Sequence, residues 1–185
     1  MFIKAHKEKC VLTAVKHYPG HGSSTRDTHE GYADVTKTWQ KSELLPFKSL
    51  VETGYDEIVM TAHVVNGRLD STKIKDKNDK ETLMPMTFSK KMITDVLRNE
   101  WNFKGVVMTD DLSMGAIANH YTLEQALLHA LDAGVDMFIL SNNHQKNETP
   151  NAVESIYQLV KSGKISEDRI DESFKRIAQL KRKLD

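Results

Sequence analysis

The sequence predicts an α/β fold with parallel strands, and three observations carry that expectation. Four short, nearly unbroken apolar runs punctuate the 185-residue chain. A helical pattern of apolar and polar positions follows each run. Each run also ends in polar, chemically capable residues. Strands that read as continuous apolar runs are buried on both faces, as parallel strands are, and a helix between them returns the chain to start the next strand.

The first run, Val11 to Val15, ends at Lys16-His17. Its helix is expected over Ser42 to Thr53, with Ser42 as N-cap and Gly54 closing it. The second run, Glu57 to Ala62, ends at His63. A polar loop with alternating Lys and Asp, Lys73 to Lys80, precedes a helix over Ser89 to Glu100. The third run, Gly105 to Thr109, ends at Asp110-Asp111, and its helix, Thr122 to Ala133, stops at Gly134. The fourth run, Val135 to Leu140, ends at Ser141-Asn142-Asn143. Two helices finish the chain, Pro150 to Lys161 and Ser166 to Leu184. The last begins Ser-Glu-Asp and ends in Lys and Arg, as a helix dipole favours.

Four βα units whose strands all end in reactive side chains read as half of an eight-stranded (β/α)8 TIM-type barrel, where ligands lie at the carboxyl ends of the strands. A flavodoxin-like open sheet is the alternative. No Gly-rich phosphate loop follows any strand, which weakens a nucleotide-binding version of it.

Bulk properties exclude several classes. Lys plus Arg number 26 and Asp plus Glu 26, so the chain lacks the basic excess that nucleic acid or an anionic membrane surface requires. The one cysteine, Cys10, allows no internal disulfide and is expected to be a buried structural thiol. No apolar stretch reaches bilayer-spanning length. Met1 to Lys9 does not resemble a secretory leader, which favours the cytoplasm; a lost N-terminus would leave the periplasm or secretion open.

Residues 16–29, KHYPGHGSSTRDTH, hold three histidines, an aspartate, a lysine and two glycines in one turn-rich segment. Four readings compete for it. His17, His21, His29, His63 and Asp110 contain the donor types of a metal site, although no His-x-His or Glu-x-x-His spacing supports one. Asp110 at a strand end suits a carboxylate nucleophile, with a loop histidine carrying protons and Asp27 orienting His29. His21, between two glycines, suits a structural role. Ser23-Ser24-Thr25 gives weak support to phosphate binding at a helix N-terminus.

Lys16-His17-Tyr18-Pro19-Gly20-His21-Gly22, then four residues, then Asp27-Thr28-His29, resembles the signature of the bacterial β-N-acetylglucosaminidases of glycoside hydrolase family 3. Gly105-Val-Val-Met-Thr-Asp110-Asp-Leu-Ser-Met114 resembles that family's nucleophile segment, and the final helix resembles the last helix of its barrel domain. The resemblance implies a retaining glycosidase acting on peptidoglycan-derived sugars. Asp110 would attack the anomeric carbon, and the Asp27–His29 dyad would act as acid and then base. Lys16 and His17 would contact sugar hydroxyls, with His63 facing the sugar from its strand end. Asp111 would be a structural partner, since neighbouring strand residues point to opposite faces. Ser113 and Met114 would pack the loop. A β-glucosidase or β-xylosidase of the same family is the runner-up. A carbohydrate substrate and no cofactor or metal are expected.

The family barrel has about twice these strands. Residues 1–185 are therefore expected to form the C-terminal half of the barrel domain, without the acid and arginine positions of the other half. Open sheet edges would then favour self-association or a complementary half-barrel, and a half-barrel alone would be inactive.

Overall fold

The computed structural model describes residues 2–141 and 147–184. Asn142 and Asn143, the end expected of the fourth strand, lie outside them. Four strands form one parallel sheet: β1 (Ala14–Tyr18), β2 (Ile58–Thr61), β5 (Val106–Asp111) and β6 (Met137–Ile139), in the order β1-β2-β5-β6. Consecutive strands lie side by side, as in a barrel segment. A doubly wound open sheet would reverse the order at a switch point, so the barrel expectation stands over the flavodoxin-like one.

One sheet face is buried at its centre. Val59, Thr61, Val107 and Thr109 are all at 0% exposure and pack beneath the helices. On the other face Val106 and Met60 are buried, Ile58, Met108 and Met137 are half-buried and Ala14 is exposed. By alternation from Met108, this second face also carries Asp110.

The first strand departs from expectation. It starts at Ala14, so Val11 and Leu12 lie outside it, and Lys16 and His17 sit within the strand rather than beyond it. Cys10 is exposed, at a backbone φ of +54°, and is not the buried thiol expected. The cause is a register lock. The Glu57 carboxylate accepts the Thr13 amide at 2.6 Å and the Thr13 hydroxyl at 2.7 Å, which seats Ala14 opposite Ile58. The short helix α1 (Phe2–Lys7) precedes this turn.

The helices follow their caps. A 3-10 turn, Lys41–Leu44, leads into α2 (Leu45–Glu52), so the cap is Gln40 with Glu43 rather than Ser42. Pro46 sits in the first turn of α2, where it removes no needed donor. Ser89 caps the helix Lys91–Glu100 by accepting the Met92 amide, and this helix closes on a π-type bond from the Trp101 amide to the Val96 carbonyl. A one-turn helix α3 (Gly115–Ala118) follows β5. Thr122 and Gln125 form a capping box on α4 (Leu123–Ala133), which ends at Gly134 with φ +106°. Helices α5 (Thr149–Lys161) and α6 (Glu167–Lys181) complete the layer, with Ser166 capping the second.

The expected polar loop is partly a hairpin. β3 (Lys73–Lys75) pairs antiparallel with β4 (Glu81–Leu83), and the Asp76 carboxylate accepts the amides of Asn78 and Lys80 at the turn. Lys-Asp alternation read as solvated chain because both hairpin faces are largely polar.

At the sheet end away from Asp110, the buried Asp136 carboxylate gathers Arg98, Arg176, Ser173 and the Val107 amide. It ties β5, the β6 entry, the π-type helix and α6 into one unit. No helix among the described residues is long and apolar enough to cross a membrane.

Candidate active site

Strands β1 and β5 bring His17 and Asp110 together. His17 Nε2 lies 3.3 Å from Asp110 Oδ2, and both side chains are about three-quarters buried. Burial lowers the His17 pKa, and the neighbouring Lys16 and His21 add to this, against the opposing pull of Asp110. A neutral imidazole therefore faces a mostly buried carboxylate. The Lys16–His17 and Tyr18–Pro19 peptides are cis. Lys16 is exposed beside this pair.

His63 is 1% exposed and does not open onto the sheet face as a sugar-facing residue would. Its Nε2 donates to the Asp111 carbonyl at 3.0 Å, which leaves Nδ1 as a buried atom with no partner. Burial pushes its pKa down to about 4, so the ring is neutral and braces the backbone beside Asp110. From just beyond β2, the ring thus bonds to the end of β5.

The Asp111 side chain turns away from Asp110. It accepts the Ser113 amide and hydroxyl and the Ser141 amide, while the Ser113 and Ser141 hydroxyls are 2.7 Å apart. Burial alone would raise the Asp111 pKa; these bonds more than offset it and hold it below the usual carboxylate range. Ser113 is thus the hub of a network and more than loop packing. The Asp-x-Ser spacing, typical of a local side-chain turn, was the signal available for it.

Asp27 and His29 form the closest pair in the loop, with Nδ1 to Oδ1 at 2.6 Å. Asp27 also accepts the His29 amide at 2.8 Å, so a spacing of two residues closes a small ring. Both side chains are mostly exposed. The Asp27 hydrogen bond raises the His29 pKa, with smaller contributions from the charges of Asp110 and Asp111. The His29 amide and imidazole lower that of Asp27. The dyad loop is fastened to the segment after β5. The Gly115 amide donates to the His29 carbonyl and the Ala116 amide to the Thr28 carbonyl, each at 3.0 Å.

His21 packs edge-on to His17 at 5.8 Å and reaches the Thr28 hydroxyl at 3.4 Å, a role internal to the loop. Gly20, at φ +122°, passes so close to Glu43 and Trp39 that a Cβ would clash. No helix begins within ten residues after Ser23-Ser24-Thr25, which removes the helix terminus that phosphate binding requires. Among the described residues, no three His, Cys, Asp or Glu side chains gather closely enough to hold a metal ion.

A parallel βα sheet with a carboxylate, a neutral imidazole and an Asp–His pair gathered at its strand ends defines a barrel-type βα domain with a polar site on its carboxyl side. Residues 1–180 match the family model described as "Glycosyl hydrolase family 3 N terminal domain", and the chain belongs to that family. It is 30% identical over 189 residues to "Beta-hexosaminidase A" of Pseudoalteromonas piscicida, covering 98% of this chain and 32% of that protein. A "Beta-hexosaminidase" of Tolumonas auensis is 35% identical over 147 residues, covering 77% of this chain and 40% of its own. Among solved structures, a glycoside hydrolase family 3 β-N-acetylglucosaminidase from Paenibacillus sp. superposes with a TM-score of 0.85 at 32% identity, covering 98% of this chain and 33% of that one. The chain thus spans about a third to two fifths of the length of these relatives.

Proposed function

We propose that the chain supplies the catalytic wall of a retaining glycosidase that removes terminal β-N-acetylglucosamine, including from peptidoglycan-derived sugars, and that residues 1–185 form the C-terminal half of its barrel domain. The observation that carries this is the placement of Asp110 at the end of β5 on the less buried sheet face, with an Asp–His pair fastened to the segment just beyond it. The names of the relatives support the sugar.

In the first step Asp110 attacks the anomeric carbon and displaces the leaving oxygen, to which protonated His29 gives its proton. Asp27 stabilises the imidazolium before that transfer. In the second step neutral His29 takes a proton from water, which attacks the glycosyl–Asp110 ester and releases the sugar with retained configuration. Lys16 and neutral His17 bind sugar hydroxyls beside the carboxylate, and His63 holds the β5 backbone.

The experiment is hydrolysis of a chromogenic N-acetyl-β-glucosaminide, set against the matching glucoside and xyloside, by the protein as the cell makes it. Asp110→Ala is expected to abolish turnover. A fluorinated glycosyl inactivator is expected to label the peptide containing Asp110. An unchanged rate in Asp110→Ala refutes the assignment, and preference for the glucoside or xyloside refutes the sugar.

A further inference from the structure

Tyr32, a residue of the dyad loop with no part in the chemistry above, is locked to two residues outside the loop, Thr82 and Tyr121. Tyr32, three residues beyond His29, places its hydroxyl 2.7 Å from that of Tyr121, and its ring stacks on His120 at 3.8 Å. The Thr82 hydroxyl lies 3.2 Å from Tyr32 and 3.3 Å from Tyr121, so the three hydroxyls form a triangle. Tyr121 is 3% exposed, and burial raises its phenol pKa above the ordinary range, so it stays protonated and keeps a donor.

The triangle joins three separate pieces of chain. Tyr32 belongs to the dyad loop, Thr82 to the β3–β4 hairpin, and Tyr121 to the corner between α3 and α4, ten residues past Asp111. The hairpin is bound to that same corner. The Lys77 amide donates to the His120 carbonyl at 2.7 Å, and the Lys77 ammonium to the Ala118 carbonyl at 2.9 Å. On the near side of the dyad, Thr28 and His29 are held by the amides of Ala116 and Gly115. The backbone from Thr28 to Tyr32 is thus fixed at both ends to the stretch of chain that continues from Asp110. The imidazole itself remains exposed, and its own side-chain torsions are the freedom left to it.

We propose that Tyr32, Thr82 and Tyr121 are positioning residues for proton transfer: the hydroxyl triangle, backed by the hairpin, sets where the His29 imidazole stands relative to Asp110. This rests on the reading of His29 as acid and base. A shift of such a group by about 1 Å can cost a hundredfold in rate, while loss of a general acid costs about 10²- to 10⁴-fold. A loosened clamp is therefore expected to cost about tenfold.

The test separates proton transfer from fold. It uses the protein as the cell makes it and two β-N-acetylglucosaminides that differ in leaving group. A dinitrophenolate departs without a proton, whereas an alkoxide needs one. In Tyr32→Phe, Tyr121→Phe and the double variant, kcat/KM for the alkyl glycoside is expected to fall about tenfold and that for the dinitrophenyl glycoside less than about twofold. Thr82→Val, which removes a hydroxyl and leaves both rings, is expected to show the same selectivity to a smaller extent. Equal falls on both substrates, or no fall in the double variant, overturn the proposal. His29→Ala is the reference. If it shows the leaving-group selectivity and the clamp variants do not, the clamp alone is refuted. If His29→Ala spares the alkyl substrate, the acid/base reading fails and the clamp with it.

Discussion

Replacing Asp136 by alanine is expected to be among the most damaging single changes to the stability of this chain. The side chain is fully buried and accepts four bonds: Arg98 Nη2 at 2.5 Å, Ser173 Oγ at 2.8 Å, the Val107 amide at 3.0 Å and Arg176 Nη1 at 3.1 Å. Arg169 Nη2 lies 3.5 Å away. Alanine would leave the Arg98 and Arg169 guanidiniums, 9% and 15% exposed, without their counter-charge. Breaking a buried pair by removing one partner costs about 3–5 kcal/mol, and the orphaned Val107 amide about 1 kcal/mol more. The sum, about 4–6 kcal/mol, is a large share of the roughly 5–15 kcal/mol typical of a domain. At about 2–4 °C per kcal/mol for a chain of this size, the midpoint of thermal unfolding should fall by roughly 8–24 °C. Urea titration and thermal melts followed by circular dichroism measure it. The double variant Asp136→Leu with Arg98→Met removes the most buried pair and should recover part of the loss, with Arg169 still unpaired, because the penalty is the unpaired ion. A loss below about 1 kcal/mol in Asp136→Ala would refute the reasoning, since the cluster would then be solvated.

Three further outcomes are expected. In Gly115→Ala, the new Cβ would stand 2.6 Å from the His29 carbonyl oxygen, so the dyad loop must recede by about 0.8 Å to reach ordinary contact; kcat on an alkyl glycoside should fall about 10- to 100-fold, and an unchanged kcat would show that the loop position is immaterial. Asp27→Asn removes the negative charge and weakens the hydrogen bond that raise the His29 pKa, so the alkaline limb of the pH–rate profile, which follows loss of the acid's proton, should move to lower pH. A limb that stays in place, read from kcat/KM between pH 5 and 9, would sink that assignment. His63 stays neutral in the folded chain down to about pH 4, while the unfolded chain takes up the proton near pH 6.5. Its contribution to stability is therefore complete above pH 6.5 and is lost as pH falls from there to about 4. His63→Gln should flatten that part of the stability curve, and urea midpoints at pH 7 and 4.5 that drop equally in both proteins would count against it.

Much of the fold was legible because its signals are local. Apolar runs marked the four parallel strands, and Thr122, Gly134 and Ser166 marked helix ends within a residue of where they fall. The Asp27–His29 contact was legible too, because two residues of separation let one carboxylate reach both the amide and the ring. The hairpin was not, since its strands are short and polar on both faces and its partner surface is supplied by the Tyr32 and Tyr121 segments.

By itself the sequence determined the order of the four sheet strands and of the longer helices, where most of those helices stop, and which reactive side chains fall near strand ends. Only the tertiary structure decided which of them meet. His17 reaches Asp110 across β2, and between Val15 and Tyr18 the register of β1 against β2 shifts, which strict alternation in the sequence does not show. His63 reads from sequence like another strand-end ligand, yet it is sealed against the Asp111 carbonyl. Propensity, capping and periodicity act over a few residues, and one strand or one helix turn displays them. Side-chain meetings across strands depend on register and packing summed over the whole sheet, and a register shift of one residue moves a side chain to the other face.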